Sequence, residues 1–467
     1  MPGDDDDIFQ HGCDSLQATW IRNSILHAST NSQNIDLTAI PTNFVYSNPT
    51  VRMLAEMLAK LAEGGISKPQ EISRRANVME VMVKKYTHEF PQHMATTEAQ
   101  KAQVVLVTGT TGALGSHILT HLLALPDISM VYALNRPPSN LRERQSHSFE
   151  KNGIDTHLVD SSKLRLLTGD LNAPRFDLSA QDFDTLRESV TLVVHNGWQV
   201  NFNVSLSTME PLVAGTRQLI DFALASPHPS PPRLIFVSSA GVFRKMNESN
   251  TALESPISDP RISVGLGYTE SKWVTERVLE IAAQMSVLSP VIVRPGQLSG
   301  ASNGAWNASD WFPVLMRSSQ LSGHLPIISG RISWIPIHHA AKALVEVRNS
   351  QERYLHINHP NPVPMEHILS PLSKILGIPL VPYAEWLEAL EASASRESGA
   401  SVDPAVRLID FFRSYREVAP DQEAFFPAVL SNAVAVRSAP SLSLVSPLTA
   451  EDVEGWTSYL RQAGYLS

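Results

Sequence analysis

From residue 104 onward, short apolar runs alternate with stretches of helical length: "VVLV" (104–107), "MVYAL" (130–134), "KLRLL" (163–167), "TLVVH" (191–195), "RLIFV" (233–237) and "VIV" (291–293). Such runs show no polar alternation, so both faces of each strand are expected to be covered. That predicts an α/β fold, a doubly wound parallel sheet with helices on either side. Upstream, "DSLQATWIRNSIL" puts Leu16, Trp20 and Ile21 on one helical face, and "PTVRMLAEMLAKLAEGG" repeats Leu54, Met57, Leu58 and Leu61 at helical spacing. Residues 1–66 therefore read as a small all-helical unit. Residues 67–101 read as a linker with one helix in "SRRANVMEVMVKKY", residues 102–350 as the sheet domain, and 351–467 as a C-terminal substrate-binding part. In that last part "YLHIN" (354–358) is a candidate late strand and "VPYAEWLEALEASASRE" (381–397) a candidate helix. No internal repeat is visible.

Composition narrows the functional classes. A chain of 467 residues exceeds what one core serves, and two or three structural units are expected. No apolar run approaches the roughly 18 residues of a membrane span. A net charge of −9 argues against a nucleic-acid surface. The single cysteine, Cys13, excludes an internal disulfide framework and a multi-thiolate zinc site, so no metal is expected. The N-terminal "MPGDDDDIFQ" is acidic where a secretory signal is basic and then apolar, and a cytoplasmic location is the expectation.

Directly after the first strand stands "TGTTGALG", with Gly109, Gly112 and Gly115 leading into "SHILTHLLAL". Glycines so spaced let the backbone turn tightly, approach a pyrophosphate and pack the helix on the sheet, while the helix N-terminus favours negative charge. The second strand ends in "YALNRP", with Asn135 and Arg136 where an NAD site carries Asp or Glu. Arg136 suits a 2'-phosphate and hence NADPH. Arg144 offers a second contact or a solvated surface cation. Asp170, followed by Leu171 in "LTGDL", can meet the adenine or simply close a turn.

Tyr268 and Lys272 lie four apart in "YTESKWVTERVL", on one helical face. A free phenol titrates near pH ~10, and an adjacent ammonium is expected to favour its ionised form. At the end of the fifth strand "FVSSAGVF" presents Ser238 and Ser239, of which Ser239 is the candidate donor to a substrate carbonyl. Pro295 and Gly296 in "VIVRPGQLSG" shape a turn beside the expected nicotinamide, and Trp306, Trp311 and Phe312 are candidate pocket walls or core residues.

Taken in order, "TGTTGALG", "HNG" (195–197), "SSAGVF", "GYTESK" and "RPGQLSG" resemble the extended short-chain dehydrogenase/reductase superfamily, and within it the thioester reductases. The resemblance implies Ser239, Tyr268 and Lys272 as a catalytic triad. It implies a cofactor site lined by Thr108, Gly109, Gly112, Ala113, Leu114, Gly115, Arg136, Arg144, Asp170 and Leu171 together with Tyr268 and Lys272. It also leads one to expect an Asp near His338 in "IPIHHAA" (335–341), which this chain lacks.

"DIFQHGCDSLQA" followed by "IPTNFVYSNPTVRMLAEML" resembles the carrier domains of nonribosomal peptide synthetases, which implies phosphopantetheine on Ser15. The stretch before Ser15 is shorter than a carrier bundle's first helix, so a truncated carrier is expected. Carrier then reductase resembles the end of fungal adenylate-forming reductases. The implied function is NADPH-dependent release of a carrier-bound acyl thioester as an aldehyde or, on further reduction, an alcohol. The implied partners are an upstream adenylation domain or protein and a phosphopantetheinyl transferase. A free-standing carbonyl reductase or a sugar-nucleotide epimerase or dehydratase shares the glycine loop and Tyr/Lys pair but needs no carrier. A non-catalytic NADP sensor needs neither Tyr268 nor Lys272.

Overall fold

Each apolar run becomes a strand of one sheet in the computed structural model, which describes residues 3–9, 11–13, 17–18, 20–22, 24–25, 44–62, 68–98, 102–138, 140–246, 251–394, 403–426 and 428–467. The strands are β1 (Gln103–Thr108), β2 (Ile128–Asn135), β3 (Leu164–Thr168), β4 (Leu192–His195), β5 (Arg233–Val237), β6 (Pro290–Pro295) and β7 (Tyr354–Ile357). Among the described residues they form a seven-stranded sheet in the order β7-β6-β5-β4-β1-β2-β3, with every pairing parallel. The order reverses between β1 and β4, which opens a crevice at their carboxyl ends.

The helices that position the site are α1 (Val51–Ala62), α2 (Lys68–Tyr86), α3 (Ala113–Ala124), α4 (Leu141–Lys151), α5 (Ala180–Ser189), α6 (Leu206–Leu224), α7 (Gly267–Met285), α8 (Trp311–Ser322), α9 (Ile337–Glu346), α10 (Glu366–Leu376), α11 (Tyr383–Ala394) and α12 (Ala450–Gln462). Successive strand residues feed opposite cores. Val105, Val107 and Val194 pack with Ile118 and Leu119 of α3 and Leu344 of α9. Leu106, Val193 and Phe236 pack with Leu219 of α6 and Val274 and Val278 of α7. Two buried faces explain why the strands read as unbroken apolar runs. A third core gathers Trp306, Phe312, Trp334, Trp386 and Trp456 in the C-terminal lobe.

Three sequence expectations change. The segment read as a linker carries α2, whose Ala76, Met79, Met82 and Val83 enter the main core and whose Arg75 Nε donates to Glu270 Oε1 of α7 at 2.7 Å. Its apolar residues are spread among charges, which hid a face that is fully buried. The boundary drawn at residue 350 cuts the sheet, because β7 lies beyond it and pairs with β6. Trp20 is 70% exposed rather than part of an apolar face, and the described core of the N-terminal unit is instead Ile8, Ala18, Phe44, Val45 and Leu54. Leu16 and Ser15 lie outside the described residues. Among the described residues, no helix is long and apolar enough to cross a membrane.

If α2 is integral to the core of the sheet domain, Met79→Ala lowers unfolding stability by about 2–5 kcal/mol, whereas Val81→Ala at an exposed position stays within about 0.5 kcal/mol. Urea unfolding midpoints of the two variants check this.

Candidate active site

A cleft of about 1080 Å³ opens where the strand order reverses, and it is lined by the glycine turn after β1, the ends of β2, β4 and β5, and the first turn of α7. The turn depends on missing side chains. Gly109 has φ +73°, and a Cβ there would lie 2.5 Å from the Gly197 Cα. A Cβ on Gly115 would lie 2.0 Å from the Gly109 carbonyl oxygen, so the start of α3 can rest on the turn only without one. Gly112 meets nothing nearer than 3.6 Å. These features, with the N-terminus of α3 at the cleft, fit the phosphates of a dinucleotide. Asn196 Nδ2 donates to the Gly109 carbonyl at 3.1 Å, and the Gly197 N–H donates to Thr108 Oγ1 at 2.9 Å, so "HNG" braces the turn from β4.

Thr108, Gly109, Gly112, Ala113, Leu114, Gly115, Arg136, Arg144, Asp170 and Leu171 all line this cleft. Asn135 is buried and engaged with the turn: its Nδ2 donates to Thr110 Oγ1 at 2.8 Å and its Oδ1 accepts from the Thr111 N–H at 3.4 Å. Arg136 is exposed at the cleft edge. Arg144 Nη1 donates to the Arg136 and Pro138 carbonyls at 2.8 and 3.2 Å, and both arginines line the cleft. Asp170 Oδ1 accepts from the Asn172 N–H at 3.0 Å, a turn-closing bond, while its carboxylate still borders the cleft.

Ser239, Tyr268 and Lys272 line the same cleft. Gly267 lets α7 begin against the 204–205 backbone, since a Cβ there would sit 2.3 Å from the Val204 carbonyl oxygen. The next residue, Tyr268, hydrogen-bonds through its side chain to Ser239. Lys272, one turn on, donates from Nζ to the Val237 carbonyl at 2.6 Å and stands 4.0 Å from the Trp198 ring centroid and 4.6 Å from that of Phe236. The two serines separate: Ser239 is half-buried and meets Tyr268, whereas Ser238 is buried and donates to Glu276 Oε1 at 2.5 Å.

The electrostatics reverse one expectation. Burial pushes the Tyr268 phenol up to about 12, against the Ser239 hydrogen bond that lowers it. Burial also drives Lys272 well below its ordinary value, against the charge of Glu276. The ammonium lies 5.8 Å from the Tyr268 ring centroid, and removal from water outweighs it. Burial thus favours the neutral phenol of Tyr268 over the phenolate. His195, buried behind them between Thr108 Oγ1 and Thr216 Oγ1, is lowered to about 3 by burial and then by Lys272.

Trp306, Trp311 and Phe312 do not line the cleft. They pack in the C-terminal aromatic core, where Trp311 Nε1 donates to Gln297 Oε1 at 3.0 Å. Apolar wall comes instead from Trp198, Val200, Val204 and Leu212, residues of a loop after β4 and the start of α6, together with Phe9 of the N-terminal unit. Sequence reasoning stopped at "HNG" and missed them, although the aromatic at position 198 directly follows that motif. His338 sits on α9, which starts after Pro336, and lies outside the cleft. A second, more open cavity of about 730 Å³ lies between α10 and α12, and none of the predicted site residues borders it.

Residues 107–344 match a family of NAD-binding domains described as male sterility protein. Over 99% of its length the chain is 38% identical to the adenylate-forming reductase Nps10 of Heterobasidion annosum, covering 44% of that protein. It is 32% identical to a carboxylic acid reductase of Neurospora crassa over 88% of its length, covering 40% of that protein. The chain therefore spans less than half the length of these curated relatives. Among solved structures, the terminal R domain from the myxalamid PKS-NRPS biosynthetic pathway superposes with a TM-score of 0.70 at 23% identity, over 84% of this chain and 99% of that one. A thiolation-reductase di-domain from an archaeal non-ribosomal peptide synthetase gives 0.67 at 18% identity, over 100% of this chain and 94% of that one. Both share the fold.

Replacing Gly115 by Ala forces the start of α3 off the turn. Dinucleotide affinity, followed by fluorescence titration with NADPH, is expected to fall at least about tenfold, with Gly112→Ala disturbing the fold less because its neighbour is at ordinary contact distance.

Proposed function

Because the chain belongs to the family of NAD-binding domains described as male sterility protein, we propose that it uses NADPH to reduce an acyl thioester, releasing an aldehyde and a thiol. The observation that carries this reading is the meeting of Ser239, Tyr268 and Lys272 with the glycine turn in one cleft. The names of the relatives, an adenylate-forming reductase and a carboxylic acid reductase, agree with reduction at the acid oxidation level. NADPH is preferred over NADH because Asn135 is spent on the turn, no carboxylate ends β2, and Arg136 and Arg144 rim the place where a 2'-phosphate is expected.

When bound, NADPH supplies the hydride. Ser239 and Tyr268 donate hydrogen bonds to the thioester carbonyl oxygen as negative charge builds there. Tyr268 gives its phenolic proton to that oxygen, and the ammonium of Lys272 stabilises the phenolate left behind. Hydride on carbon and proton on oxygen make a hemithioacetal. Cleavage of its C–S bond gives the aldehyde, and the proton of the hydroxyl passes to the departing sulfur.

The N-terminal unit is proposed to carry the acyl group on a phosphopantetheine arm at Ser15, delivered by a phosphopantetheinyl transferase after an upstream adenylation step. Support comes from its seat: Phe9 and Cys13 border the cleft, and Thr208 Oγ1 donates to Asp7 Oδ2 at 2.6 Å. Delivery from such a seat is effectively intramolecular. On this reading residues 1–66 form the carrier unit and the sheet domain the reductase.

Tyr268→Phe is expected to lose at least about 10²-fold in turnover of acyl-pantetheine thioesters while keeping NADPH affinity. Unchanged turnover rejects the mechanism, and cofactor consumed per product distinguishes aldehyde from alcohol. Incubation with a phosphopantetheinyl transferase and CoA is expected to add one phosphopantetheine, seen by mass spectrometry and lost in Ser15→Ala. No added mass removes the carrier role and leaves the reductase chemistry standing.

A further inference from the structure

One buried carboxylate ties together three elements that supply the proposed chemistry. Glu276 lies on α7, one turn beyond Lys272 and two beyond Tyr268. From the residue after β5 it accepts the Ser238 hydroxyl at 2.5 Å, next to Ser239. From β6 it accepts Arg294 Nε at 2.9 Å on Oε1 and Nη2 at 2.6 Å on Oε2, a forked pair. Arg294 immediately precedes Pro295 and Gly296, which border the cleft. Its Nη1 donates to the Ser255 carbonyl at 2.9 Å and faces His356 Nε2 of β7 at 3.3 Å. The side chains of Glu276 and Arg294 are 2% and 0% exposed.

A pair this deeply buried is an inefficient source of stability, since two apolar side chains of similar volume commonly hold a core as well or better. What ions add is directional geometry: a forked pair and a third donor fix one register of strand against helix. We propose that Glu276 is a positioning residue for the reduction, setting the strand end that leads to Ser239, the helix that bears Tyr268 and Lys272, and the strand that leads into Pro295 and Gly296 in one fixed relation. This deepens the reductase reading and rests on it.

The same carboxylate acts on Lys272 through charge. The ionisable groups around Lys272 are His195 from β4 and Tyr268 and Glu276 from its own helix, with the Trp198 and Phe236 rings against the ammonium. Those around Glu276 are Arg294 of β6, Tyr354 and His356 of β7, and Glu280 of α7. Glu276 favours the ammonium against burial. A group that must stay protonated supports activity below its pKa and loses it as pH rises through that value. Without the Glu276 charge this loss starts at lower pH.

The test uses the full chain. In protein carrying ε-¹³C-lysine, the Lys272 signal is identified by its absence in Lys272→Met and titrated in wild type, Glu276→Gln and Ser238→Ala. NADPH consumption with acyl-pantetheine thioesters is followed across the same pH range. The expected result is a Lys272 midpoint and an alkaline activity limb both shifted down in Glu276→Gln, and in Ser238→Ala a kcat lowered about 10²-fold with KM for NADPH unchanged. Ser238→Ala leaves the ion pair intact, so it still decides should Glu276→Gln fail to fold. A kcat within twofold of wild type in Ser238→Ala, or in a folded Glu276→Gln an unmoved Lys272 midpoint, overturns the inference. A wild type that binds NADPH but turns over no thioester sinks the reductase reading instead, and the Lys272 titration then judges the charge coupling by itself.

Discussion

The site rests on a place where three backbones meet at glycines, with room left only for the amide of Asn196. Gly109 at the end of β1, Gly115 at the start of α3 and Gly197 after β4 approach so closely that a single added carbon at the first or second would overlap a neighbouring main chain. That contact brings the helix N-terminus to the crevice and fixes the spacing of β1 and β4 at the point where the sheet changes direction. Thr110 is then held by Gln145 and Asn135, and Thr108 by His195, so the glycine turn is braced from α4, β2 and β4 at once.

A second constraint is dryness. Tyr268 and Lys272 are buried beneath Trp198, Phe202 and the loop leading to α6. In water a lysine four residues from a tyrosine shifts the phenol only slightly. Here the loss of hydration dominates and moves the two groups toward neutrality together, a phenol that keeps its proton and an amine whose charge needs support. For the proposed reduction, in which the carbonyl oxygen takes a proton as hydride reaches carbon, a phenol holding its proton is the useful starting state.

The strands were legible because burial on both faces leaves an unmistakable pattern, and the glycine turn because its chemistry tolerates few other residues. Tyr268, Lys272 and Ser239 were legible through spacing and order along the chain. What escaped was whatever depends on distant partners. The apolar positions of α2 lie among charges, and its burial follows from the groove beside α7 rather than from its own pattern. Trp306, Trp311 and Phe312 read as wall or, more commonly for such residues, as core, and the neighbouring Trp334 and Trp456 decide for core. The tie from Glu276 to Arg294 spans 18 positions and joins a helix to a strand, with no local signature to announce it.

The path of the chain through the sheet has one more effect. After β6 it leaves to build part of the C-terminal lobe, comes back to lay down β7 against β6, and departs again to complete that lobe. The chain therefore passes between sheet and lobe three times, and its segment at 433–444 lies against the sheet's outer layer through Ala435, Ala439 and Leu442. Exchanging this lobe by recombination while keeping β7 demands three compatible junctions at once, whereas moving it together with the edge strand it encloses demands only one, after β6.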